Sequence, residues 1–377
     1  MLRIRECEDA LLAEICHLFF ACERSPQQIS EELNKRWELE EPLTREQIYP
    51  LLREARRRSH FSLLPPLDRA LAEAVASEFD LHADRLHIVP VRGRGALEMV
   101  AERAAALITD RIRDVGREKS RVHIGLGAGG TLTLVAQRLA TRLRSEARLP
   151  PLALHALSSG FSVERPQTAP VSFFSSFHDV APDIEYIGLF ASAVVARSDY
   201  KREIQRRGVS ESFEQAHEID IVVTALARAR DPHGELTHYI VNKSELERMR
   251  EAGWVGDVLY RPYTESGPLR RGASVRAVSL FELEELVQLA QAPGKHVVLV
   301  AAPCAQCGKR KGPALRPLLA SPALRIWSEL VMDIPTAEEL LTDPLLTRER
   351  ARPTRTRPGA SRSRRRRPSP GTAPFSR

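Results

Sequence analysis

The residues best placed to do chemistry lie at 125–133, GLGAGGTLT. This run follows an apolar, strand-like segment. It opens a helical pattern in which Leu132, Val135, Leu139 and Leu143 share one face. Glycine has no side chain to hold a ligand off the backbone, and the first turn of a helix presents N–H groups without intrahelical partners. Together these make an anion site, most often for phosphate. Gly127, Gly129 and Gly130 are the candidate backbone contacts, and Thr131 adds a hydroxyl at the helix start. The bland alternative is a tight turn with no ligand.

The type of anion can be narrowed. Gly125, Gly127 and Gly130 formally satisfy the dinucleotide fingerprint, which also wants an acid at the end of the next strand. Here that strand, LALHAL (152–157), is followed by Ser158, Ser159 and Gly160, which disfavours NAD. A P-loop is excluded because no Lys-Ser/Thr follows the last glycine. A small phosphorylated metabolite remains, and no resident cofactor is expected. Cys304 and Cys307 form a lone C-x-x-C, whereas a structural zinc site needs four ligands. Cys7, Cys16 and Cys22 are remote in sequence and no close His pair flanks the motif, so the expectation is small residues in a loop and no metal. Lys309, Arg310 and Lys311 are either a solvated helix start or part of a phosphate pocket. No metalloprotease motif or Ser/His/Asp set is readable among the scattered histidines, so no enzyme is expected. His123, inside a strand, reads as a packed core residue.

The elements that must position these groups alternate in type. Apolar strand-like runs at 86–91, 121–127, 152–157, 184–190, 219–225, 296–301 and 324–330 are separated by helical patterns at 96–113, 131–144, 199–217, 243–252, 281–291 and 314–320. That order predicts an α/β fold, a mostly parallel doubly wound sheet over residues 86–345. Ahead of it, residues 1–64 read as three short helices. Ser25-Pro26 is one N-cap signal, and Thr44 with Gln47 is another. Pro50 should kink the third helix or shift its start. Three short helices ending in a basic run suggest an N-terminal helix-turn-helix unit. Residues 65–85 read as a linker carrying an amphipathic helix.

The net charge of +7 is misleading if taken globally. Residues 348–377 hold eleven Arg and one Glu, which leaves −3 for residues 1–347. The tail, 346–377, is rich in Arg, Pro, Ser and Gly and is expected to be disordered. Its Arg364–Arg367 run is either a non-specific phosphate contact or simply solvated. Five cysteines in 377 residues exclude a disulfide scaffold. No apolar run approaches a membrane span and no signal peptide is visible, so a cytoplasmic protein without membrane contact is expected.

In order along the chain, LDRALAEAVASEFDLHADRLHIVPV, GLGAGGTL, LHALSSGF, LFASAVVARSDYKREI, AGWVGDVLYRPYTESGPL and CGKRKGPALRPLL resemble successive segments of the SorC/DeoR-type sugar-binding transcriptional regulators. The resemblance spans roughly residues 25–343. It implies an operator-binding N-terminal unit and a C-terminal sensor with the sugar-phosphate isomerase-like fold, working as a homo-oligomer. By the same resemblance Gly129, Gly130 and Thr131 would hold the phosphate of a sugar effector. Asp257 would accept hydrogen bonds from sugar hydroxyls, Lys311 would approach from a late helix, and Ser158 would line the pocket. Arg45, Gln47 and Tyr49 would contact bases, and Arg53, Arg56, Arg57 and Arg58 would contact phosphates. The alternatives are a sugar-phosphate isomerase-like enzyme and a sensor that no longer binds DNA. The second draws on the acidity of residues 1–64, with ten Lys/Arg against twelve Asp/Glu. Cys307 departs from the family by replacing a glycine in the late loop, and the turn Glu38 to Glu41 is longer and more acidic.

Overall fold

The computed structural model describes residues 9–342, apart from 38, 40, 59, 62–63, 94, 147, 163, 181–182, 241 and 271 and the side chain of Arg57. The Arg-rich tail, Cys7, and Glu38 and Glu40 of the acidic turn lie outside the described residues.

The first helices are α1 (Asp9–Cys16), α2 (Pro26–Arg36) and α3 (Arg45–Arg57), with a wider π-turn over His17–Ala21. Their starts follow from capping chemistry. The Ser25 hydroxyl accepts from the Gln28 N–H, and the Gln28 amide oxygen accepts the Ser25 N–H at 2.9 Å. Thr44 and Gln47 form the second capping box. That box fixes the start of α3 at Arg45, and the helix runs through Pro50 to Arg57, so the proline does not shift its start. Leu11, Leu12, Ile15, Ile29, Leu33, Ile48 and Leu51 interlock in a core of their own. Each such fully buried side chain contributes about 1.5–3 kcal/mol.

Next comes α4 (Arg69–Phe79), capped by Asp68. It does more than connect: Ala72, Val75, Ala76 and Phe79 pack into the core of the sheet unit. The strands are β1 (Leu86–Val89), β2 (Val122–Leu126), β3 (Leu152–Ala156), β4 (Ile184–Ile187), β5 (Val194–Ala196), β6 (Ile221–Arg228), β7 (Gly256–Val258), β8 (Arg261–Tyr263), β9 (Val275–Ala277), β10 (His296–Ala301) and β11 (Glu329–Asp333). The main sheet runs β1-β11-β10-β6-β2-β3-β4, every neighbouring pair parallel. A sheet covered on both faces needs apolar side chains on both, which explains the continuous apolar runs. In β10, Val297, Leu299 and Ala301 enter one core, while Val298 and Val300 enter the other. The second core is closed by α5 (Ala96–Gly116) and α6 (Gly130–Arg144). No helix among the described residues is long and apolar enough to cross a membrane.

Several boundaries differ from the sequence expectation. The last strand starts at Glu329 rather than 324, because Ile326 and Trp327 are buried by an irregular segment in which the indole N–H donates to the Leu318 carbonyl at 3.0 Å. The pattern at 199–217 is broken into Tyr200–Ile204 and Ser210–Glu214, with Gly208 at φ +84° between them. The three-residue strands β5, β7, β8 and β9 are too short to show a period. The final helix, Ile334–Leu341, was hidden by Pro335, which sits harmlessly in its first turn.

Candidate functional site

Chain order in the sheet reverses between β2 and β6, because β3 and β4 extend one way and β10 and β11 the other. The loops leaving the two strands diverge there and open a crevice at their carboxyl ends, the usual ligand position in such sheets. A cleft of about 730 Å³, counting the part open to solvent, lies at this place. Its lining comes from the loop after β2 (Gly129, Gly130, Thr131), the end of β6 and its following loop (Thr224, Asp231, Glu235), β7 (Asp257) and the loop after β10 (Cys304, Lys311), with Arg165 and Tyr260. The structure therefore brings Gly129, Gly130, Thr131, Asp257 and Lys311 together over one cavity.

Two expected residues do not line it. A Cβ at Gly127 would lie 2.8 Å from Leu259 and 3.2 Å from Leu132, so this glycine serves close packing under the cleft. Ser158 is buried and forms an isolated bridge with Ser279. The role of Gly129 also differs in detail. Its N–H donates to the Thr168 carbonyl at 2.9 Å, and its φ of +114° turns the chain into α6. The amides that helix geometry leaves facing outward are those of Gly130 and Thr131.

The remaining parts are positioned by unusual local structure. Asp257 sits opposite Ala227 across the antiparallel β6–β7 pair. The two-residue turn from β7 to β8 is Leu259-Tyr260, with φ of +49° and +61°. Such turns normally carry Asn-Gly, so two bulky left-handed residues beside a cleft mark local strain held by the surroundings. The hold is visible in Arg261, whose buried guanidinium donates to the carbonyls of Ala277, Ser279 and Phe281 and pairs with Glu282 at 2.7 Å.

The cleft gathers several buried charged groups. Asp257 is buried and its Oδ2 has no hydrogen-bond partner, which is also true of Glu235 Oε2 and Arg165 Nη2. Buried polar atoms left without protein partners are the ones a ligand can satisfy. Burial pushes the Asp257 carboxyl up to about 8, against the pull of Lys311 and helped by Glu235. Burial lowers the pKa of Lys311, while Cys304, Asp231 and Asp257 counteract it. Burial also raises the pKa of Glu235, which Arg165 opposes from 3.5 Å.

The folded-state pKa of Asp257 lies above its ordinary 3.8. Its stabilising contribution is therefore complete below that value and is lost as pH rises through about 8. An anion in the cleft should bind progressively less well over the same upper range, as Asp257 gains charge and Lys311 moves toward losing it. Sulfate, whose charge is constant there, should give thermal shifts that fall with pH over 6.5 to 9 (roughly the span of this titration), and Asp257→Asn should flatten that fall. A constant shift across the series would contradict it.

Sequence reasoning missed Arg165, Thr168, Asp231 and Glu235. Asp231 and Glu235 follow a buried parallel strand at its carboxyl end, and that position was the available signal. Arg165 lies in the irregular stretch ERPQTAP, which carries no such mark. Of the DNA-contact candidates, Arg45, Tyr49 and Arg53 are exposed on α3. Gln47 spends its amide oxygen on the Thr44 N–H at 2.7 Å. Arg56 pairs with Glu102 of α5 at 2.7 Å, and Arg58 with Asp9 at 3.0 Å and Glu54 at 2.8 Å. The Arg57 side chain lies outside the described residues.

No curated protein matches the chain significantly. The full-length sorbitol operon regulator SorC of Klebsiella pneumoniae superposes with a TM-score of 0.56 at 17% identity, covering 89% of this chain and 100% of that one. A DeoR family transcriptional regulator of Listeria monocytogenes superposes with a TM-score of 0.54 at 19% identity, covering 72% of this chain and 98% of that one. The family model described as "Putative sugar-binding domain" matches residues 67–342, which include α4 and every residue of the cleft. The chain thus belongs to that sugar-binding domain family and has the fold of SorC- and DeoR-type regulators.

Proposed function

We propose that this chain is a transcriptional regulator that binds operator DNA through its three-helix unit and a phosphorylated sugar in its cleft, the second controlling the first. The observation that carries this reading is the charge layout of the cleft. Lys311, Arg165 and the start of α6 supply positive potential, and Asp257 and Glu235 each leave a carboxyl oxygen without a partner. A phosphate suits the first set and sugar hydroxyls the second. Membership of a sugar-binding family supports the sugar, and likeness to a sorbitol operon regulator supports regulation over catalysis.

On this reading Arg45 and Tyr49 read bases and Arg53 contacts phosphates. Operators are usually bound by symmetric pairs, so the functional unit is a homo-oligomer. The link between the sites runs through Glu102. This buried carboxylate holds Arg56 of α3, Arg138 of α6 at 3.3 Å and Arg142 of α6 at 3.9 Å. Because α6 begins at the anion site, a ligand that moves α6 changes the setting of α3.

The ion pairs of Arg56 and Arg58 within the chain favour a second reading, a sensor that does not bind DNA. Anisotropy with labelled DNA from upstream of its own gene separates the two. The expected result is a preference of about a thousandfold or more over random DNA at moderate salt, changed at least tenfold (about 1.4 kcal/mol of coupling) by one member of a sugar-phosphate panel. Equal binding to random DNA selects the sensor, and turnover of a sugar phosphate selects an enzyme.

A further inference from the structure

The loop after β10 carries a feature that the sugar reading does not use. The Cys304 N–H donates to the Lys309 carbonyl at 3.0 Å, and the Gly308 N–H donates to the Cys304 carbonyl at 2.9 Å. Gly308 takes φ +67°, a conformation that side chains resist. A tight knuckle therefore turns both thiols of the C-x-x-C to one side. The loop after β6 meets it there. Asp231 is oriented by the His233 N–H, which donates to its Oδ1 at 3.0 Å. One donor atom from each of Asp231, Cys304 and Cys307 lies within 4.8 Å of the others.

We infer that Asp231, Cys304 and Cys307 form a binding site for one zinc-class divalent ion in the wall of the cleft. Donors around a shared tetrahedral ion stand about 3.5–3.8 Å apart, given bonds of roughly 2.0–2.3 Å. The three groups therefore need to close by only about 1 Å. Two sulfurs and one carboxylate select zinc-class ions over magnesium or calcium. Three protein ligands leave a fourth position, as in zinc sites that accept an exogenous ligand. Asp231 and Cys304 both line the cleft, so that position is available to an oxygen of whatever occupies it.

The charge balance is favourable. Loading joins M²⁺ to two thiols and a carboxylate and releases two protons. The wall carries one net negative charge before and after, so the ion does not reverse the potential beside Lys311. The hydrogen bond from the His233 amide to Asp231 is the kind of outer contact that fixes a ligand's direction. Sequence alone hid the site because the third donor comes from a different loop.

The test uses the full chain, reduced, stripped with a chelator and titrated with Co²⁺ and Zn²⁺ against a chromophoric competitor. The expected result is one equivalent of Co²⁺ with a thiolate-to-metal charge-transfer band, displaced by Zn²⁺. Cys307→Ser, at an exposed position, should weaken binding about a hundredfold and remove most of the band. Asp231→Asn should weaken binding about tenfold or more while keeping the band. Cys22→Ser, in the other unit, should change neither, and circular dichroism confirms that each variant folds. Absence of the band, its survival in Cys307→Ser, or failure of the reduced Cys304 and Cys307 thiols to take up metal overturns the inference. Sugar-phosphate thermal shifts on the stripped protein keep the two ideas separate. A shift without the band removes only the metal, and the band without a shift removes only the sugar.

Discussion

Lys311→Ala will cut affinity for a sugar phosphate by about a hundredfold, or roughly 3 kcal/mol, the scale of a charge-assisted hydrogen bond made away from water. Lys311 is buried and faces the cleft with Asp257 and Asp231, so its ammonium is already largely stripped of water before a ligand arrives. The exchange should spare the fold. The Lys311 carbonyl, which accepts from Ala314 and Leu315 to start the helix Gly312–Ala320, survives in alanine. Adding Thr131→Val removes the hydroxyl at the start of α6. The double variant should lose the stabilisation of about 2.7 kcal/mol that a ligand gives at a hundred times its Kd. A thermal-shift series measures this, and an unchanged shift in the double variant would discard the cleft as the anion site.

Glu102→Ala is expected to have the largest effect on the three-helix unit. The carboxylate is buried and is shared by Arg56, Arg138 and Arg142, of which Arg142 is the least exposed. Removing the shared carboxylate takes that partner from the half-buried Arg138 and Arg142, while the more exposed Arg56 turns to water, at about 1–3 kcal/mol. Burial already lowers the pKa of Arg142, which Glu102 offsets. Urea unfolding should show the loss as a lower midpoint with little change in slope. Glu102→Gln keeps the volume and isolates the charge. It should release Arg56, raise DNA affinity severalfold (about 1 kcal/mol, as for one phosphate contact), and blunt the response to the effector. If Glu102→Gln binds DNA as the parent does and still responds, Glu102 is a stabilising residue only.

Sequence periodicity was enough for the framework. The long strands at 122–126, 152–156, 221–228 and 296–301 are mostly apolar, with isolated His, Thr and Arg positions, because the sheet is covered on both faces. Since one side chain must satisfy one amide, the N-cap signals at Ser25-Pro26 and Thr44 with Gln47 lie where the helices start, although Pro50 left the start of the third open. The glycine loop was legible for the same local reason. What stayed hidden depends on distance. Asp231 and Arg165 reach the cleft only once β6 lies beside β2. The packing role of Gly127 needs Leu259, which arrives on a hairpin much later in the chain. Ile326 and Trp327 look like a strand because burial, not pairing, selected them.

The crevice sits where the chain's two directions of winding part company, and its walls come from segments as remote in sequence as Gly130 and Lys311. A molecule lodged there binds only the folded chain, because its contacts come from segments that the fold alone brings together. Under the proposed function, the sugar phosphate acts as a message and also as a preservative. Copies that have received it spend less time open to proteases. The receptor is then most long-lived when its signal is plentiful, and abundance follows supply without any change in synthesis.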